Sequence, residues 1–300
     1  MATLREIRRR ISGVKSTQKI TKAMKMVAAA RLRRAQEGVL SARPYARTMS
    51  DLLQHLAGKV DVTANPLFEI RPVHKVAIVV VTADRGLCGA FNSNVIRTVS
   101  HHIRTNYEEV NNKGNLHLVT VGRKGSDFFQ KNNYRIADKQ VGIFSGLNFE
   151  HANNIAGKVI EGFLNGAYDR VELVYNEFKS IIHQNIVIEQ VLPIPTETIV
   201  PSTSTAKQST SQIDYIYEPS SESILSSLVP KHLRFQIWRA LLESNAAEQG
   251  ARMTAMDNAT TNASDLIRDL QLSYNKARQA SITKELLEIV GGAEALTAAD

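Results

Sequence analysis

Cysteine is nearly absent from this 300-residue sequence: Cys88 stands alone. One thiol cannot close an internal disulfide, which points to a reducing compartment and excludes a disulfide scaffold. Aromatic residues make up only 6%, and no proline precedes Pro44. Nowhere does an apolar run approach the roughly 20 residues that a membrane-spanning helix needs; the longest is Val76 to Val81. Met1 to Arg10 is basic but lacks an apolar stretch and a small-residue cleavage site, so it reads as mature structure, not a leader. With 43% hydrophobic residues the chain has enough apolar surface to bury a core.

What is present is unevenly distributed. Residues 1 to 60 hold fourteen Lys and Arg against Glu6, Glu37 and Asp51, a net charge of +11, while the other 240 residues carry −3. So much charge of one sign on one segment calls for compensation. Two readings follow from charge alone, a solvated basic face or a helix that engages an acidic or polyanionic partner.

Both ends read as long helices. Leu4, Ile7, Ile11 and Val14 step by three and four, and the apolar face resumes at Ile20, Met24 and Val27. Helix formers dominate Ala23 to Glu37, so a helix is expected over about residues 3 to 57, kinked between Gly38 and Pro44. At the other end Ala259, Ala263, Leu266, Leu270 and Ala277, with Tyr274 beside them, keep a period of 3.5, and Ile282, Leu286 and Ile289 extend it. That is the pattern of a helix coiled around another. A C-terminal helix of about 221 to 290, through Pro230 and stopping at Gly291-Gly292, would be on the order of 100 Å long.

Between them the period changes. Val76–Val81, Leu116–Val121, Arg170–Tyr175 and Ile186–Val191 are strand-like, and helical patterns separate them at about 92 to 106, 125 to 131 and 153 to 165. This alternation predicts an α/β, Rossmann-like domain with a largely parallel sheet over 73 to 195. A Ser/Thr-rich loop over 196 to 220 (PSTSTAKQSTSQ at its centre) follows, then the second helix to residue 296. One domain of this size cannot cover two helices so long. They are expected to pair antiparallel as a coiled coil over residues 1 to 60 and 221 to 296, with the α/β domain inserted between them.

No catalytic constellation emerges. Val81 to Asn94 (VTADRGLCGAFNSN) sits at a strand-to-helix turn, yet it completes neither glycine fingerprint for phosphate. Cys88 would be activated by a helix N-terminus but has no neighbouring His in sequence, so a buried apolar role is preferred. The eight histidines show no metal-ligand spacing. Neither a cofactor nor a metal is expected.

Four segments carry a resemblance. Lys19 to Ala30 (KITKAMKMVAAA), Thr82 to Asn92 (TADRGLCGAFN), Asp214 to Pro219 (DYIYEP) and Ser273 to Ala293 (SYNKARQASITKELLEIVGGA) resemble, in order, the γ subunits of F-type ATP synthases. The resemblance spans the chain. It implies a non-catalytic rotor shaft: a coiled coil inside a ring of α and β subunits, and a foot on ε and the membrane c-ring. It further implies that Lys22, Met24, Lys25, Arg278, Gln279, Thr283 and Glu285 face β subunits. Arg43, Tyr45, Tyr215 and Tyr217 are the matching candidates for the foot contact. A bacterial form, peripheral on the cytoplasmic face of the plasma membrane and without the chloroplast thiol switch, is the expectation. The competing class is a nucleic-acid-binding protein with a basic helix. Against it, the basic residues alternate with an apolar stripe that needs burial, and the α/β domain separates them from the heptads.

Overall fold

The computed structural model describes residues 3–57, 65–181, 183–195, 217–218 and 220–297, with the backbone alone for 292–297. Helix α1 runs Leu4–Ala57, and the C-terminal helix α6 runs Ser221–Thr297. Neither Pro44 nor Pro230 interrupts its helix. The stop expected at Gly291-Gly292 does not occur: α6 continues five residues beyond it, to Thr297. A glycine pair lowers helix propensity by only about 1 kcal/mol each and needs a following turn signal to end a helix.

Two compact units are present: residues 29–252, and the two end segments 1–28 with 253–300.

In the larger unit a five-stranded sheet has the order β3-β2-β1-β4-β5. Its strands are β1 (Val76–Val81), β2 (Leu116–Val121), β3 (Ile136–Gln140), β4 (Arg170–Phe178) and β5 (Gln184–Leu192). The first four are parallel, and β5 pairs antiparallel with β4. Strand β3 is absent from the sequence reading because Ile136–Gln140 (IADKQ) is a polar edge strand with a weak apolar signal.

Helices α2 (Phe91–Asn106), α3 (Glu108–Asn112), α4 (Arg123–Lys131) and α5 (Phe149–Leu164) connect the strands. Central β1 is buried along all six residues, as a strand covered on both faces must be. Successive side chains leave it on opposite faces. Val76, Ile78 and Val80 pack with Val95, Val99 and Ile103 of α2 and Phe129 of α4. Ala77, Val79 and Val81 join a second core with α5, Met49 and Leu53 of α1, and Leu225, Val229, Leu233 and Ile237 of α6. Helix α5 starts cleanly: the Asn148 side chain accepts from the His151 amide, and the His151 ring accepts from the Asn148 amide.

Candidate functional surface

In the smaller unit the two end segments pair antiparallel. Going up α1, Arg8 meets Tyr274, Gln18 meets Ser264, Thr21 meets Thr260, and Lys25 meets Asp257. The distances are 2.6, 2.7, 2.8 and 2.6 Å. Each step toward the α1 C-terminus matches a step toward the α6 N-terminus, which fixes both direction and register.

The seam explains where the apolar stripe was misread. Inward residues of α1 are Leu4, Ile7, Ile11, Val14, Gln18, Thr21, Lys25 and Ala28, an unbroken alternation of three and four. The pattern does not jump to Ile20 and Val27, which are 57% and 53% exposed. On α6 the inward set is Met256, Thr260, Ala263, Ile267, Leu270, Tyr274, Ala277 and Ser281. Leu266 lies off it, and Tyr274 lies in it. Hydrophobicity loses the heptad where Thr, Gln and Lys occupy seam positions. Their hydrogen bonds across the pair stand in for apolar contact there.

Outside the seam the surface is basic and partly apolar. Arg5, Arg9, Arg10, Lys15, Lys19 and Lys22 are exposed and hold no carboxylate within the described residues. The Arg8 guanidinium lies over the Tyr274 ring, 5.5 Å from its centre. Ile282, Leu286, Leu287 and Ile289 are 49% to 69% exposed. By the register above, α1 begins opposite Arg278, and these residues lie past that point on α6.

The candidate contact residues fall out as follows. Lys22 is exposed and unpaired among the described residues, whereas Lys25 is held by Asp257; Met24 is half-buried beside the seam. Arg278 and Gln279 are exposed, and so are Thr283, whose hydroxyl donates to the Gln279 carbonyl, and Glu285, which accepts from Ser281. The structure thus brings Lys22, Met24 and Lys25 together on one stretch of helix, and Arg278 to Glu285 on another. In the larger unit Arg43 is exposed, and Tyr45 sets its ring 4.9 Å from that of Phe235. Tyr217 packs on the α5-side core. Tyr215 and the Ser/Thr-rich stretch 201 to 212 lie outside the described residues.

Reading the sequence alone missed a second basic feature. A cleft of about 830 Å³ in the larger unit is lined by Arg31, Arg34, Arg85 and Arg123, none of which has an ion-pair partner among the described residues. Arg31 and Arg34 are visible in the sequence as part of a basic helix; Arg85 and Arg123 join them only through the fold.

The loop after β1 is tied by hydrogen bonds to the start of α4, the helix that follows β2. Amides at the start of α4 go to β1 and its loop: Gly125 to the Thr82 hydroxyl, Lys124 to the Ala83 carbonyl, Arg123 to Asp84 Oδ1. A side chain at Gly122, where φ is +92°, would collide with the Thr82 carbonyl. In such sheets ligands bind outside the carboxyl ends of the strands where the order reverses, here between β1 and β4. That crevice is filled by α6, whose Ala247 and Ala251 pack on Ala83, Cys88, Phe91 and Phe178. Cys88 is buried, and burial pushes its thiol pKa up, opposite to an activated nucleophile. Among the described residues no cluster of His, Cys, Asp and Glu has the makings of a metal site.

Known proteins agree in kind. The family model described as ATP synthase matches residues 3–296. The ATP synthase gamma chain of Chloroherpeton thalassium is 53% identical over 300 residues, covering 99% of each chain. That of Salinibacter ruber is 50% identical over 304 residues, again covering 99% of both. Among solved structures, a chain of the Tetrahymena thermophila mitochondrial ATP synthase central stalk and c-ring is 27% identical. It has a TM-score of 0.58 and covers 80% of this chain and 99% of that one. A chain of the Euglena gracilis mitochondrial ATP synthase shares the fold with a TM-score of 0.67 at 22% identity, over 98% of this chain and 95% of that one. With a family model over nearly its whole length and relatives half identical from end to end, the chain belongs to the ATP synthase gamma chain family.

Proposed function

We propose that this chain is the central shaft of a proton-translocating ATP synthase, a non-catalytic subunit present as one copy per complex. Its partners are a ring of α and β subunits, an ε subunit and the membrane c-ring. The complex sits on the cytoplasmic face of a bacterial plasma membrane and holds this chain peripherally; no helix among the described residues is long and apolar enough to cross a bilayer. Family membership supports this reading. The observation that carries it is the antiparallel helix pair, with a complete internal seam and an outer face that stays basic and apolar.

An asymmetric shaft presents a different face to each β subunit of a symmetric ring. Each catalytic site is then biased by the contact free energy its own face supplies, and turning the shaft passes that bias on. A helix pair suits the task because its backbone hydrogen bonds are internal and its seam is locked by cross-helix polar pairs. Lys22, Met24 and Lys25 meet acidic β loops on one side, and Arg278, Gln279, Thr283 and Glu285 supply polar contacts on the other. Arg43, Tyr45, Tyr215 and Tyr217 belong to the foot. The nucleic-acid reading loses ground because the relatives matching from end to end are ATP synthase gamma chains, and the basic helix is committed along its inner side to α6.

The test is co-purification on a tag carried by this chain, followed by mass analysis. Recovery of α, β and ε with a single copy of the chain, and of the c-ring in mild detergent, is the expected outcome. Recovery of nucleic acid that dissociates steeply with salt would overturn it.

A further inference from the structure

Helix α6 crosses the carboxyl ends of β1 and β4 on its smallest residues. Ala246 and Ala247 are fully buried, Ala251 packs on the loop after β1, and a side chain at Gly250 would meet Phe178 at 3.4 Å. Small apolar surfaces let helix and sheet approach closely, but the attraction is non-directional. It resists separation better than it resists turning of the helix about its own axis.

Two places among the described residues carry directional contacts. At one, Glu189 of β5 accepts from Gln236 Nε2 at 2.6 Å and from Arg239 at 3.1 and 3.2 Å. At the other, Arg252 donates to Glu248 at 2.5 Å, and its second terminal nitrogen reaches the carbonyls of Arg85 and Gly86 at 3.4 and 3.2 Å. Arg252 and Glu248 are 8% and 5% exposed, so the charge is paired and fixed, and the planar fork holds two backbone carbonyls and one carboxylate together. Gln236 and Arg252 are 16 residues apart, about 24 Å along the helix. The loop that receives Arg252 is itself held in a demanding conformation, with Leu87 at φ +63° and Gly89 at φ +60°. Arg252 is also the last residue of the larger unit.

We infer that Arg252 is a positioning residue for energy coupling: its fork keys α6 rotationally to the loop after β1, so that torque passes between the sheet and the helix without slip. This rests on the shaft reading. Glu248 is the buried counter-charge that keeps the guanidinium in place, and burial pushes its pKa up against the pull of Arg252. Replacing Arg252 leaves the apolar contact of Ala247 and Ala251 and the Glu189 contact intact, and removes the directional hold on the loop after β1.

The experiment uses the whole complex in sealed vesicles and measures ATP hydrolysis and ATP-driven proton uptake side by side, for wild type, Arg252→Gln and Arg252→Lys. Content of this chain and thermal midpoint are measured on the same preparations. Protons moved per ATP split should fall about threefold or more in Arg252→Gln, with hydrolysis and chain content retained. Arg252→Lys keeps the charge beside Glu248 without the fork and should recover part of the loss. Normal pumping per ATP in Arg252→Gln overturns the inference. Loss of hydrolysis, pumping and chain content in parallel, in both variants, also overturns it, since that is a folding role. If the wild-type complex itself hydrolyses ATP without proton uptake, the shaft reading fails instead.

Discussion

The hydroxyl pair at the centre of the smaller unit gives a prediction whose sign is worked from proton counting. Thr21 and Thr260 Oγ1 lie 2.8 Å apart across the seam, while each also lies near a carbonyl of its own helix, Gln18 at 3.1 Å and Met256 at 2.7 Å. Two hydroxyl protons serve three contacts. The shorter intrahelical bond takes the Thr260 proton, so Thr21 donates across the seam. Thr21→Val leaves Thr260 bonded to Met256, and Thr260→Val lets Thr21 turn to Gln18, so neither strands a buried donor. Each single change removes one hydrogen bond worth about 0.5 to 1.5 kcal/mol, and the added methyl returns up to about 0.8. The double variant has no hydroxyl left and loses two bonds, the one across the seam and the one from Thr260 to Met256. Its cost should therefore be close to the sum of the two singles, with little coupling between them. Native-state hydrogen exchange of the amides from Thr17 to Ala28 reads this locally in the full chain. A double variant no less stable than either single would refute the reasoning.

Other outcomes follow from the same geometry. Burial and then the hydrogen bond to Glu172 push the Tyr107 phenol up to about 12, with His102 bonded to the same carboxylate at 2.7 Å. Below pH 10 both folded and unfolded states keep the phenol proton and the stability is whole. From pH 10 to 12 the unfolded state ionises first, and about 2 to 3 kcal/mol is lost. Denaturation midpoints should show that alkaline loss in wild type and a shallower one in Tyr107→Phe. Cys88 should resist alkylation in the native chain and react on unfolding, which a mass shift at neutral pH will report. Lys22→Glu should lower protons pumped per ATP with little change in thermal midpoint, because Lys22 has no described partner within the chain. Lys25→Glu should also loosen the seam, since it sets two carboxylates against each other at Asp257; an exposed pair of this kind contributes about 0 to 1 kcal/mol.

Much of the architecture was legible because its signals are local. Helix α1, the start of α6, and strands β1 and β2 are legible within a few residues from period and composition, while α6 runs past its expected glycine stop. Polar β3 escaped because an edge strand needs little apolar content, and β5 was legible as a strand but not as antiparallel. The seam was half legible: Leu4 to Val14 announce it, and then Gln18, Thr21 and Lys25 carry it in polar residues that no hydrophobic count registers. Arg31, Arg34, Arg85 and Arg123 converge only through the fold. The Arg252 fork was invisible for a related reason, since its acceptors are main-chain carbonyls 166 and 167 residues away. The resemblance in TADRGLCGAFN marked the loop without revealing what it binds.

The central claim is that this chain turns inside its complex. Cys88 is buried, so a cysteine placed at exposed Lys113, just after α3, would be the labelling site for a probe on the immobilised soluble complex. Under ATP the account predicts unidirectional rotation of the probe in step with hydrolysis. Sustained hydrolysis while the probe stays fixed would contradict it.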